Sequence, residues 1–138
     1  MDTAVMLSIL AVLALTTAPL PVPFAGPRWT LAGLTPDGGR LRVPGTRMAR
    51  PAFTVHGGRL TGTTGCSPLR ARVAISGNSV RIWNVQAGTG DFCPDHALAL
   101  REDFTTLLER VTRVEWRGST LILHAGTGRL EFTSGARP

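Results

Sequence analysis

The chain has 138 residues, a formal net charge of +6 and 43% hydrophobic residues, with 16 Gly and 10 Pro. That is room for one domain but not for two cores, and it is too apolar for intrinsic disorder. All fifteen basic residues are Arg; without Lys or Tyr, a Lys Schiff base and a Tyr acid or oxyanion donor are both excluded.

The first segment, Ala4 to Ala18, is apolar apart from Ser8, Thr16 and Thr17. It is short for a membrane span, which takes about 20 residues, but suits the apolar part of a signal peptide. Pro19, Pro21 and Pro23 end any helix there, and Ala25 before Gly26 is a candidate cleavage position. Met1-Asp2-Thr3 carries no Arg or Lys, so an uncleaved anchor stands beside cleavage. Residues 1–25 are therefore expected to be a signal peptide or anchor with a Pro-rich linker, 26–134 the domain, and 135–138 a tail. No Cys follows the apolar run, which excludes a lipid-modified N-terminal cysteine. Export to the periplasm or cell envelope is the expectation.

The strands follow. Trp29 to Leu34 alternates and runs into Thr35-Pro-Asp-Gly-Gly39, a turn. Leu41 and Val43 alternate with Arg40 and Arg42, which predicts a short half-buried strand. Phe53-Thr-Val55 and Leu60-Thr-Gly62 flank His56-Gly-Gly-Arg59, a two-residue hairpin signal. Thr61 to Cys66 holds only Thr, Gly and Cys, which predicts that its backbone approaches another strand closely. Leu69, Ala71, Val73 and Ile75 alternate with Arg70, Arg72 and Ala74. Past the turn Ser76-Gly-Asn-Ser79, Val80, Ile82 and Asn84 share one side, with Arg81 and Trp83 opposite.

The period then changes. Ala97, Leu100, Phe104, Leu107, Leu108 and Val111 recur at spacings of three and four, predicting a helix over about 96–110 with Asp95 as its N-cap. Val114-Glu-Trp116 and Leu121-Ile-Leu123 flank a third turn, and Gly126 leads to a last strand around Leu130-Glu-Phe132. One helix between runs of strands predicts an α+β domain: a single curved, barrel-like antiparallel sheet with one packed helix.

Cys66 and Cys93 are the only cysteines. An even count in a small exported domain points to a disulfide, worth roughly 3–4 kcal/mol on the chain-entropy model. Two buried free thiols, or a metal site with His96, His56 or His124, are the alternatives. Cys93-Pro-Asp-His96 alone lacks the four spaced ligands of structural zinc. A Cys93 thiolate at a helix N-terminus is the enzyme reading, but no group to orient His96 can be named.

The motifs in this order resemble the META domain, also called the HslJ-like domain. That family pattern has an early W-x-L, then G-x-x-G-C-N, a T-x-M-A-C segment, a helix with Glu before aromatic and leucine positions, and two closing strands. Trp29 and Leu31 match the opening pair, and Gly62, Gly65 and Cys66 the first motif. Thr89, Cys93 and Glu102 match the later ones. Ser67 replaces the usual Asn, Pro68-Leu69 lacks the usual aromatic, and Asp91-Phe92 replaces Met-Ala, so no ligand role tied to that Asn or Met is carried over. The resemblance implies a barrel-like sheet with one helix at the bacterial envelope, linked to stress tolerance, secretion or motility, with no reaction attached. It also permits Glu102 to turn inward to an Arg or to backbone N–H groups.

Glu102 and Asp103 point about 100° apart on a helix and do not form a catalytic dyad. Trp29, Trp83 and Trp116 read as core or rim aromatics. Residues 26–90 carry nine Arg against Asp37 alone. Such a half could meet anionic lipid, acidic polysaccharide or nucleic acid, yet no nucleic-acid motif is present and Tyr is lacking for base stacking. The expected function is thus a non-enzymatic envelope stress or interaction module, meeting an anionic surface or an envelope protein through Trp83, Arg70, Arg72 and Arg81. The alternative is a carrier of a small hydrophobic ligand or lipid. No cofactor, metal or nucleic acid is expected, and a monomer is.

Overall fold

A computed structural model describes residues 23–45, 49–89 and 93–134. Most of the expected leader, the tail 135–138 and Asp91-Phe92 lie outside these residues. The described chain is an eight-stranded closed barrel in which each strand pairs with the next and β8 returns to β1, every pairing antiparallel. The strands are β1 (Trp29–Thr35), β2 (Ala52–His56), β3 (Arg59–Thr63), β4 (Pro68–Ser76), β5 (Ser79–Ala87), β6 (Arg113–Arg117), β7 (Thr120–Ala125) and β8 (Gly128–Ser134); the helix α1 (Asp95–Glu109) joins β5 to β6.

The hairpin signals in the sequence become tight turns. Gly57 and Gly58 both adopt positive φ (56° and 75°), the left-handed pair that a two-residue hairpin needs. Alternation then sorts the side chains: on β4, Leu69, Ala71 and Val73 are buried while Arg70, Arg72 and Ala74 face solvent. The interior is filled. Trp29, Phe53, Phe104 and Phe132 are fully buried, and Phe53 and Phe104 each meet Phe132 edge to face.

The helix buries Leu100, Phe104, Leu107 and Leu108, the stripe its spacing predicts. It packs on β5 and β8, strands three places apart, so it lies across an end of the barrel. The barrel is most weakly paired between β5 and β6, which share a single pair, Ser79 with Arg113.

Four local expectations are corrected. The N-cap is Pro94, whose carbonyl accepts the first helical bond from Leu98 N (2.8 Å), so Asp95 sits one position inside and caps nothing. Its carboxylate stands in the first turn instead, at the positive helix end. Leu41 and Val43 form no strand: only Arg42 bridges to Leu34, and the two side chains are 52% and 65% exposed. The adjoining edge of β1 is taken by other chain: Trp29 and Thr30 pair with β2 and Leu31 N–H donates to the Pro51 carbonyl, so Leu34 and Arg42 exchange backbone bonds in isolation. Ile75 is exposed at the end of its strand, beyond the core. Asn84 faces outward, for a reason given below.

The packed unit reaches back to Phe24, which is buried against Phe53 (ring centroids 6.1 Å) and whose carbonyl accepts the buried Trp29 indole N–H at 2.9 Å. Cutting the chain after Ala25 removes that side chain and that acceptor. A chain starting at Gly26 is expected to be about 2 kcal/mol less stable in urea than one retaining Phe24; equal midpoints would show that Phe24 contributes nothing.

Candidate functional site

Two places gather the residues singled out in the sequence. At the first, Cys66 and Cys93 are disulfide-bonded, with Cα atoms 5.3 Å apart, so neither sulfur is a thiolate or a metal ligand in this form. The bond ties the β3–β4 turn to the residues entering the helix. The turn is wired by its hydroxyls: Thr64 N–H donates to the Ser67 carbonyl (2.8 Å), Ser67 N–H to Thr64 Oγ1 (3.0 Å), and the two hydroxyls meet at 2.7 Å. Gly65, at φ 104°, turns the chain there.

Arg101 completes this corner. Its side chain is only 14% exposed. Nε donates to Ser67 Oγ at 3.2 Å, Nη2 donates to the Gly88 carbonyl, and Nη1 pairs with Glu102 at 2.7 Å. Glu102 is therefore on the surface beside its own neighbour and does not turn inward as the resemblance permits. Gly62, Gly65, Cys66, Cys93 and Glu102 thus surround one structural corner, with Ser67, where the family pattern has Asn, at its centre. Arg101 was not legible as part of it, since its role depends on the helix docking angle.

Elsewhere, ion pairs fasten loops to the barrel. Arg42 pairs with Asp103. Asp37 accepts from the Thr127 amide and hydroxyl (2.8 and 2.6 Å) and pairs with Arg110 at 2.6 Å; the Thr127 hydroxyl bond foremost holds its carboxyl below the ordinary value. Glu115 receives Arg117 and His124, both at 2.7 Å, and these hydrogen bonds lower its pKa in the same way. His124 is thereby engaged with Glu115, and His56 and His96 are exposed on separate elements. Among the described residues no group of three His, Cys, Asp or Glu side chains is placed to hold a metal ion.

The second place is the outer face of β3, β4 and β5. Register puts Arg59 opposite Arg72 and Arg72 opposite Trp83; in the next row Thr61, Arg70 and Gln86 stand side by side, and Ala74 faces Arg81. Directly opposed residues share a face with Cβ atoms about 5 Å apart, and opposed like charges weaken a sheet. Arg81 lies over the Trp83 ring at 4.9 Å, and Trp83 is 38% exposed, so this tryptophan is a surface group while Trp29 and Trp116 pack together (5.7 Å). Among the described residues, ion pairs engage Arg42, Arg101, Arg110, Arg117, Arg129 and His124, and none engages Arg59, Arg70, Arg72 or Arg81. Glu109 borders the face beside Trp83 and Asn84.

Sequence reading found Arg70, Arg72, Arg81 and Trp83 by alternation but missed Arg59, Asn84 and Gln86. Arg59 was legible: the two-residue Gly57-Gly58 turn sets the register of β3. The amides were not, because a bulge on β5 moves them.

With the geometry in view, the family is decided by the family model of the META domain, which matches residues 22–136. The chain belongs to the META domain family. An NMR structure of a protein from Burkholderia xenovorans shares the META fold seen here, with a TM-score of 0.69 at 17% identity over 88% of this chain and 94% of that one. A crystal structure of a DUF4847 family protein from Bacteroides vulgatus gives 0.59 at 12% identity, over 83% and 96%. Both likenesses are of fold. No curated protein sequence matches this META domain. Its disulfide is consistent with an oxidising location.

Proposed function

We propose that this META domain is an exported, non-enzymatic module of the periplasm or cell envelope, serving stress tolerance by docking its arginine face on an anionic lipid surface. One observation carries the reading: Arg59, Arg70, Arg72 and Arg81 stand together on β3–β5 without an ion-pair partner among the described residues. Each arginine near an anionic membrane contributes about 1 kcal/mol, so four give a weak, reversible attachment that salt screens. The exposed Trp83 beside them suits the water–lipid boundary, where an amphipathic ring is favoured. The carrier reading has less support, since Trp29, Phe53, Phe104 and Phe132 occupy the interior a ligand would need.

Co-sedimentation with phosphatidylglycerol vesicles is expected at low salt and lost at high salt. Arg72→Gln should weaken it about fivefold, in line with the loss of one basic group. Absence of binding at both salt concentrations, or equal binding to neutral phosphatidylcholine vesicles, would remove the proposal.

A further inference from the structure

We infer that the depression between β3, β4 and β5 is a phosphate-binding site within that arginine face, an inference that rests on the anionic-surface reading and gives it a specific chemistry. The depression encloses about 220 Å³, and Arg59, Arg70, Arg72, Asn84 and Gln86 line it, with no Asp or Glu in its lining. Guanidinium groups donate and do not accept, so the occupant must be rich in acceptor oxygens. A single carboxylate is satisfied by one guanidinium fork. Three forks and two amides match a tetrahedral group with several terminal oxygens and close to two negative charges, which is a phosphate monoester.

The backbone builds the site. Between the pairs Arg72–Trp83 and Arg70–Gln86, β4 has one intervening residue and β5 has two, a β-bulge. Asn84, at φ 55°, is the one non-glycine residue with positive φ among the described residues. Strict alternation would send Asn84 and Gln86 to the core and Val85 to solvent. The bulge reverses this: Val85 packs against the core, while Asn84 and Gln86 face outward beside Arg70 and Arg72. Gln86 Nε2 donates to Asn84 Oδ1 at 3.5 Å, which leaves the Asn84 NH₂ as a donor at the depression. Asn tolerates this left-handed conformation better than other side chains do, and the bulge places two amides among three guanidiniums that have no ion-pair partner among the described residues.

The volume suits a phosphate with the first atoms of its substituent and falls below that of sites for whole drug-sized ligands. The group could belong to a lipid headgroup or to a free phosphate compound, and the test separates them. The oxidised full chain is titrated with inorganic phosphate by NMR, and with phosphatidylcholine vesicles carrying either phosphatidic acid or phosphatidylglycerol. Asn84→Gly combined with Gln86→Ala keeps the net charge and the left-handed backbone. This variant is expected to lose about tenfold in affinity for inorganic phosphate and phosphatidic acid, and to bind phosphatidylglycerol vesicles as before. Arg81→Gln, outside the depression, should weaken both vesicle types alike and leave inorganic phosphate unaffected.

Unchanged phosphate and phosphatidic acid affinity in the double variant overturns the phosphate site, even where phosphatidylglycerol binding upholds the wider surface. Phosphate binding that the double variant abolishes, without any vesicle binding, upholds the site and overturns the surface reading. Tighter binding of phosphatidic acid vesicles than of phosphatidylglycerol vesicles, lost in the double variant, assigns the site to a headgroup; binding of inorganic phosphate with no such preference assigns it to a free phosphate compound.

Discussion

Replacing Cys66 and Cys93 together by serine is expected to lower the thermal midpoint by roughly 10–20 °C. The bond closes a loop with a sequence separation of 27. On the chain-entropy model that constraint on the unfolded chain is worth about 3.5 kcal/mol, a large part of the stability of a domain this size. The fold itself should survive, because Arg101 still bridges Ser67 to the Gly88 carbonyl and the helix still buries Phe104 and Leu108 on the barrel. Thermal unfolding followed by circular dichroism, with native and reduced protein alongside the variant, measures the effect. A shift below about 3 °C would mean that the pair contributes little, and the case for an oxidising compartment would weaken with it.

The second large effect is at Gly62, which faces Phe53 across the β2–β3 ladder. A Cβ there would overlap the Ala52 carbonyl oxygen and come within 2.7 Å of the Phe53 Cα, and both obstacles are backbone. No side-chain rotation relieves such an overlap, so the two strands must part. Gly62→Ala is expected to cost about 3 kcal/mol or more in urea unfolding. Gly77→Ala is the informative comparison, because open space surrounds that position and only its φ of 59° penalises a side chain. About 1 kcal/mol is expected there. Equal losses at the two sites would show that close approach is not what excludes a side chain at Gly62.

Much of the architecture was legible because it rests on local rules. Alternation along Leu69 to Val73 named the buried side of β4, and Gly57-Gly58 named a hairpin. The spacing from Leu100 to Leu108 named the helix stripe. The run Thr61 to Cys66, with only small residues and Cys, announced the close approach that Gly62 makes. Failures came where a residue's environment is supplied by distant chain. Leu41 and Val43 alternate like a strand, yet only Arg42 finds a backbone partner. Glu102 matches a family position, yet Arg101 beside it takes the inward contacts with Ser67 and Gly88.

The amino-acid order alone determined that this chain folds as one META-like α+β domain, since periodicity, glycine turns and paired cysteines act through near neighbours or through the chain's own covalent chemistry. It also determined that the basic charge is concentrated before residue 91. Only the tertiary structure decided that Arg59, Arg70 and Arg72 share one depression and that Asn84 and Gln86 join them. The reason is the bulge on β5. One extra residue reverses the inward and outward sense of everything after it, and its position depends on how two strands pair, which no single strand's pattern contains.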